Sequence, residues 1–160
     1  MPSFSTRRAM RYSPRQMYDL VADVARYPEF LPLCEALSVR ERRPAAPGPG
    51  ETLTADMTVG YKQFHETFVT RVDLMPDLPR IDVTYLDGPF KRLENRWQFL
   101  PADGGCEVDF FIDYEFKSLM LGLVVGAVFD AAFRRFTEAF EARAGVIYGP
   151  PAGAAGELTG

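Results

Sequence analysis

Up to Phe116 the chain alternates apolar and polar residues, and after Ser118 the apolar residues recur at three- and four-residue steps. The first spacing belongs to strands and the second to a helix, so the change of period divides the chain into a sheet and a closing helix. Strand character is found over residues 4–12, 36–43, 52–61, 63–75, 79–86, 91–100 and 106–116. Phe64, Phe68, Val72 and Leu74 share one parity, as do Ile81, Val83 and Tyr85, then Leu93, Trp97 and Phe99, then Val108, Phe110, Ile112, Tyr114 and Phe116. The opposite parity carries Arg92, Glu94, Arg96 and Gln98 on one strand and Glu107, Asp109, Asp113 and Glu115 on another, with Phe111 the exception. Proline, glycine and aspartate punctuate the breaks at 44–50, 75–77, 87–89 and 103–105. Connections that short join antiparallel neighbours, so the pattern predicts a meander with one dry face that a helix must cover.

Between the first two strands, Ser13-Pro14-Arg15-Gln16 has the form of a helix start, with Ser13 as N-cap, Pro14 at the first helical position and Gln16 completing a capping box. Residues 27–33 follow, where Pro28 and Pro32 bracket one helical turn at most, and this small helical pair is expected to sit as a lid. Residues 118–148 are read as one uninterrupted helix. Phe129, Phe133, Phe136 and Phe140 form its stripe, and the same stripe continued backwards meets Gly126 and Gly122, small residues expected to leave room for a ligand. Residues 119–129 carry no charge, a run too short to cross a bilayer. Met120, Leu121, Val124 and Val125 cannot all face inward and are expected to rest on a membrane surface.

A length of 160 residues suits one domain, placed at 1–148, with 149–160 as a flexible tail rich in small residues. A net charge of −4 argues against a nucleic-acid binder, and the arginines at 7, 8 and 11, at 40, 42 and 43, and at 134 and 135 are read as solvated charges among acids. Cys34 and Cys106 match no metal or redox spacing and are expected to be buried thiols in a reducing, cytoplasmic compartment, and no targeting signal is read at the N-terminus. No nucleophile with its base, phosphate loop or metal cluster is evident. His65, the single histidine, has outward parity. Glu66 and Asn95 have inward parity and are the candidate polar contacts to a ligand head group, Glu66 being also the one carboxylate that acid–base chemistry would use.

The ordered set Ser13-Pro14, Leu20-Val21-Ala22-Asp23-Val24, Tyr27-Pro28-Glu29-Phe30-Leu31-Pro32, Asp87-Gly88-Pro89-Phe90, Leu93 with Trp97-Gln98-Phe99, and Phe116-Lys117-Ser118 resembles the coenzyme-Q-binding and RatA-type proteins of the START-like superfamily, also labelled polyketide cyclase/dehydrase. The resemblance covers the chain to about Ala144, with Leu33 before Cys34 where the family often has tryptophan. It implies an α+β helix-grip (START-like, Bet v 1-like) fold: a curved, seven-stranded antiparallel sheet around a long C-terminal helix, with two short helices after the first strand. It also implies an apolar cavity, here assigned to Tyr27, Phe30, Leu31, Phe64, Phe68, Tyr85, Trp97, Phe99, Tyr114, Gly122, Gly126, Phe129 and Phe133. The expected function is non-catalytic binding of an isoprenoid quinone such as ubiquinone, or a related lipid, in support of respiration, with no other cofactor, no metal and no DNA. Peripheral contact with the inner membrane accompanies that reading. The alternatives are a RatA-type association with the ribosome that inhibits translation, docked through the Arg40-Arg42-Arg43 edge or the apolar helix start, and a cyclase or dehydratase dependent on Glu66.

Overall fold

The computed structural model describes residues 3–44 and 49–151. Part of the 44–50 turn and the expected flexible tail from residue 152 onward lie outside the described residues. Seven strands, β1 (Ser3–Met10), β2 (Cys34–Pro44), β3 (Glu51–Tyr61), β4 (Phe64–Met75), β5 (Arg80–Asp87), β6 (Phe90–Ala102) and β7 (Gly105–Phe116), pair antiparallel in the order β1-β7-β6-β5-β4-β3-β2. The consecutive hairpins of β2 to β7 are the meander the turn signals predict, and β1 joins the far side of β7. Register shifts at Cys34/Ala36 and Val39/Glu41 in β2, at Val69/Thr70 and at Phe90/Arg92 mark bulges, which bend and coil a sheet.

Helix α1 (Pro14–Ala22) begins as its sequence requires: the Ser13 side chain accepts from the Gln16 N–H at 3.0 Å, and the Gln16 side chain accepts from the Ser13 N–H at 2.9 Å. The second short helix is 3-10, runs Val24–Glu29, starts earlier than expected and contains Pro28. Its chain then turns through Leu33, which holds a left-handed φ of 67° although it is not glycine.

The closing helix is two helices, not one. α2 spans Leu119–Arg134 and α3 spans Phe136–Tyr148, with Arg135 between them at φ −100° and ψ −2° and its N–H turned to the Ala132 carbonyl. That tightened turn separates the two helices with neither proline nor glycine at the break. Among the described residues no helix is long and apolar enough to cross a membrane. Both cysteines are buried thiols, and burial pushes each up to about 11.

A candidate ligand cavity between the sheet and helix α2

Much of the inward parity of β3, β4, β6 and β7 is buried. Leu53, Ala55 and Val59 face in from β3, Phe68, Thr70 and Val72 from β4, and Leu93 and Trp97 from β6. Where β3 and β4 pair, Ala55 stands opposite Thr70, two small side chains side by side in the sheet. With Ala132 of α2 above the same region, they leave an apolar cavity of about 80 Å³. Phe68, Trp97, Phe129, Phe133 and Phe140 supply aromatic wall, and the segment from Tyr27 to Leu33 closes one side.

Of the residues assigned to a cavity from sequence, Tyr27, Leu31, Phe68, Trp97, Phe129 and Phe133 line it, and so does Asn95. Phe30, Phe64, Tyr85, Phe99, Tyr114, Gly122 and Gly126 do not. Phe99 packs against Tyr18 at the other end of the sheet, with ring centroids 5.9 Å apart, while Phe64 stands edge-on to Phe129 at 5.8 Å. A side chain at Gly126 would meet nothing within 4 Å, and one at Gly122 would touch Phe116 at 3.7 Å, so neither glycine opens the cavity. The room comes from small residues in the sheet and from Ala132.

Two polar expectations also change. Glu66 keeps its parity but is exposed, because the first β4–β5 pair is Val69 with Asp87 and the start of β4 projects beyond its neighbour. Its carboxylate does not line the cavity. Asn95 does line it, but its side chain is engaged: Nδ2 donates to the Phe111 carbonyl at 2.8 Å, and Oδ1 accepts from the Trp97 indole N–H at 3.1 Å. That pair fixes the indole plane against the cavity.

Tyr114, assigned to the cavity wall from its inward parity but not as a polar contact, also offers a buried hydroxyl. Its ring is 1% exposed and 5.0 Å from that of Phe133, and its hydroxyl finds no hydrogen-bond partner among the described residues. Burial pushes this phenol up to about 12. A buried hydroxyl without a partner costs roughly 1–3 kcal/mol, which a ligand acceptor reaching it would relieve. By contrast, the Tyr27 hydroxyl donates to the Val21 carbonyl and tethers the 3-10 helix to α1, and burial raises its pKa too.

His65 lies on the outer face as its parity requires, bonded through Nδ1 to Glu35 Oε1 at 2.8 Å. Glu35 is the bulged residue between Cys34 and Ala36, and its carboxylate crosses Gly60, where a Cβ would lie 2.2 Å from the carboxyl carbon. Hydrogen bonding to Glu35 raises the His65 pKa. The arginines of edge strand β2 are paired within the chain, Arg40 with Asp56 at 2.9 Å, Arg42 with Glu51 and Arg43 with Glu41.

The comparisons with known proteins agree with this geometry. Residues 10–141 match the protein family described as polyketide cyclase / dehydrase and lipid transport. The ribosome association toxin RatA of Vibrio cholerae is 36% identical over 150 residues, which is 93% of this chain and 99% of that protein. The mitochondrial coenzyme Q-binding protein COQ10 homolog B of Xenopus laevis is 34% identical over 151 residues, 91% of this chain and 59% of that protein. The solution structure of an 18 kDa protein from Caulobacter crescentus has a TM-score of 0.76 at 36% identity and covers 94% of this chain and 100% of its own.

Proposed function

Because the chain belongs to the polyketide cyclase / dehydrase and lipid transport family, we propose that it binds an isoprenoid quinone or a related lipid, without transforming it, in the cavity under α2. The observation that carries the reading is the lining: apolar on nearly every side, with Asn95 and Thr70 as its polar members. One relative, a coenzyme Q-binding protein by name, points to the quinone class.

The size of the cavity sets the mechanism. An apolar cavity of about 150 Å³ admits a benzene-sized ring. At about 80 Å³ this one is too small for a substituted ring with a tail, so its wall must move. Of the sixteen residues of α2 only Val125, Phe129, Ala132 and Phe133 are buried, and the turn at Arg135 separates the helix from α3. Displacement of α2 widens the cavity and uncovers the Tyr114 hydroxyl, which then donates to a ring carbonyl. Tail burial contributes about 0.8 kcal/mol per methylene, so the tail dominates affinity while Tyr114 and the Asn95 edge orient the head.

Purification without detergent from a quinone-producing host, followed by solvent extraction and mass spectrometry, should yield quinone in proportion to protein. An extract free of quinone and other lipid removes this reading. A second reading follows from the relative named as a ribosome association toxin. Arg40, Arg42 and Arg43 have acidic partners but stay more than half exposed, so they remain open to a partner, and cosedimentation with ribosomal subunits that is lost on Arg→Ala changes at those positions would support docking through this edge. The cyclase alternative loses its candidate acid, since Glu66 is exposed and outside the cavity.

A further inference from the structure

On the first turns of α2, Leu119, Met120, Leu123 and Val124 are exposed while Leu121 and Val125 turn toward the protein, so of the four residues expected to face a membrane only Met120 and Val124 point outward. Nothing among the described residues covers that face. The solvent side of the sheet, across from the helices, carries more.

Where β1, β7, β6 and β5 lie side by side, this outer face holds a hollow of about 490 Å³, within the roughly 300–1,000 Å³ of small-molecule sites. Register builds it from two rows. Arg7, Asp109, Gln98 and Arg80 stand opposite one another across the four strands, and Ser5, Phe111 and Arg96 form the next row. Phe111 is the one apolar side chain in the outward parity of β7, and the Arg96 guanidinium lies over its ring, 4.5 Å from the centroid. Asp82, opposite Arg96, is bonded to Arg80 at 2.8 Å, and Arg96 makes no ion pair among the described residues. Arg96 is itself exposed, so a planar group can settle on it from the solvent side.

Asp109 supplies acceptors. Its Oδ1 is buried and has no hydrogen bond among the described residues, although Arg7 Nε stands 3.3 Å away. Arg7 is largely exposed and also reaches Glu107 at 3.6 Å, so it can yield the carboxylate to a ligand. The Gln98 amide, directly across the β6–β7 pair, supplies a donor. Arg7, Arg80 and Arg96 are balanced by Asp82, Glu107 and Asp109, with Glu94 one row further on, so the hollow has no excess of positive charge to hold a bare anion. It suits a flat, uncharged group with donors and acceptors along one edge.

We propose that this hollow binds a guanine base, carried by a nucleotide or by a single strand of RNA, with the base stacked on Arg96 over Phe111. Guanine presents two N–H donors beside a carbonyl: the donors meet the Asp109 carboxylate and the carbonyl accepts from Gln98. Adenine, cytosine and uracil each present a single donor group on that edge, so the carboxylate selects against them. Arginine planes and aromatic rings are the platforms on which unstacked bases lie. A net charge of −4 disfavours a long phosphate backbone and leaves the recognition of one base untouched. The site lies on the opposite side of the sheet from the cavity and rests on neither the lipid reading nor the arginine edge of β2.

The test is an NMR titration of the whole chain with GMP, AMP and inorganic phosphate. GMP should move the amides of Arg96, Gln98, Asp109 and Phe111 saturably, AMP should bind at least about fivefold more weakly, and phosphate should leave them in place. Arg96→Ala should weaken GMP about tenfold, and Arg96→Lys should weaken it as much, because lysine keeps the charge and loses the plane. Asp109→Asn should erase the preference for GMP over AMP. A UGU trinucleotide that binds more tightly than GMP assigns the base to an RNA strand, and equal affinity assigns it to a free nucleotide. The proposal is overturned if GMP causes no saturable shift, if phosphate reproduces its shifts, or if Arg96→Lys binds as the wild type does. Trp97 reports on the cavity from the inner side of the sheet, so its quenching by quinone is unchanged in Arg96→Ala and tells a failed outer site from a failed cavity.

Discussion

In α3, Thr137, Phe140 and Ala144 are buried, and Phe140 packs its ring 5.0–5.4 Å from those of Phe30, Trp97 and Tyr27. Polar bonds fix the same helix along its middle and at its C-terminal end: Arg8 to Glu141 at 2.8 Å, Arg143 to Glu29, and the Tyr148 hydroxyl to the Gln16 carbonyl at 2.9 Å. In α2, which precedes it by one residue, nothing before Val125 is buried, and the first half is held by the Ser118 cap and the inward side of Leu121. The more apolar of the two helices is thus the less firmly attached. The difference assigns α3 to stability and α2 to access, since a wall that must open is drawn from the weakly held part of a structure.

The sharpest way to break this contrast is at its anchors. Phe140→Ala should cost about 3–5 kcal/mol in urea unfolding, whereas Leu123→Ala should stay within about 0.5 kcal/mol. Equal costs would end the distinction. Tyr114→Phe comes next: removing a buried hydroxyl that lacks a partner should raise stability by about 1 kcal/mol while weakening quinone binding, and a variant that loses both would show that the hydroxyl is satisfied within the protein. Gly126→Ala should stabilise by up to about 1 kcal/mol, because the new methyl meets open space and helix propensity rises, and it should slow amide exchange in α2 but not in α3. Destabilisation would mean that Gly126 packs more closely than it does here.

The smallest effect concerns the hairpin that α2 touches through Phe64. Glu35 raises the His65 pKa, so the pair stabilises the fold below the unfolded value of about 6.5, and that contribution is lost as pH rises through the higher folded value. Glu35→Gln should return the histidine to its ordinary range by NMR titration. An unchanged titration would place the cause elsewhere.

The sheet was legible in sequence because a two-residue period survives any curvature, and α1 because its capping box is a local signal. The break at Arg135 was not legible. Arginine is a good helix former, and no proline or glycine marks the position, so local preference gives no sign of a break there. The cavity was misplaced onto Gly122 and Gly126 because parity within one strand gives a face, not a register, and the hollow depends on Ala55 standing opposite Thr70. Glu66 failed for a related reason: its parity is inward, but its part of β4 has no β5 neighbour.

Trp97, the single tryptophan, lines the cavity and is held there by Asn95, so its fluorescence reports occupancy directly. The decisive measurement is its quenching by a short-tailed ubiquinone, in the wild type and in Ala132→Leu, which fills the hollow from α2. Saturable quenching in the wild type that is lost in Ala132→Leu is the expected result. Quenching that is linear in quinone and equal in both proteins would contradict a ligand site under α2.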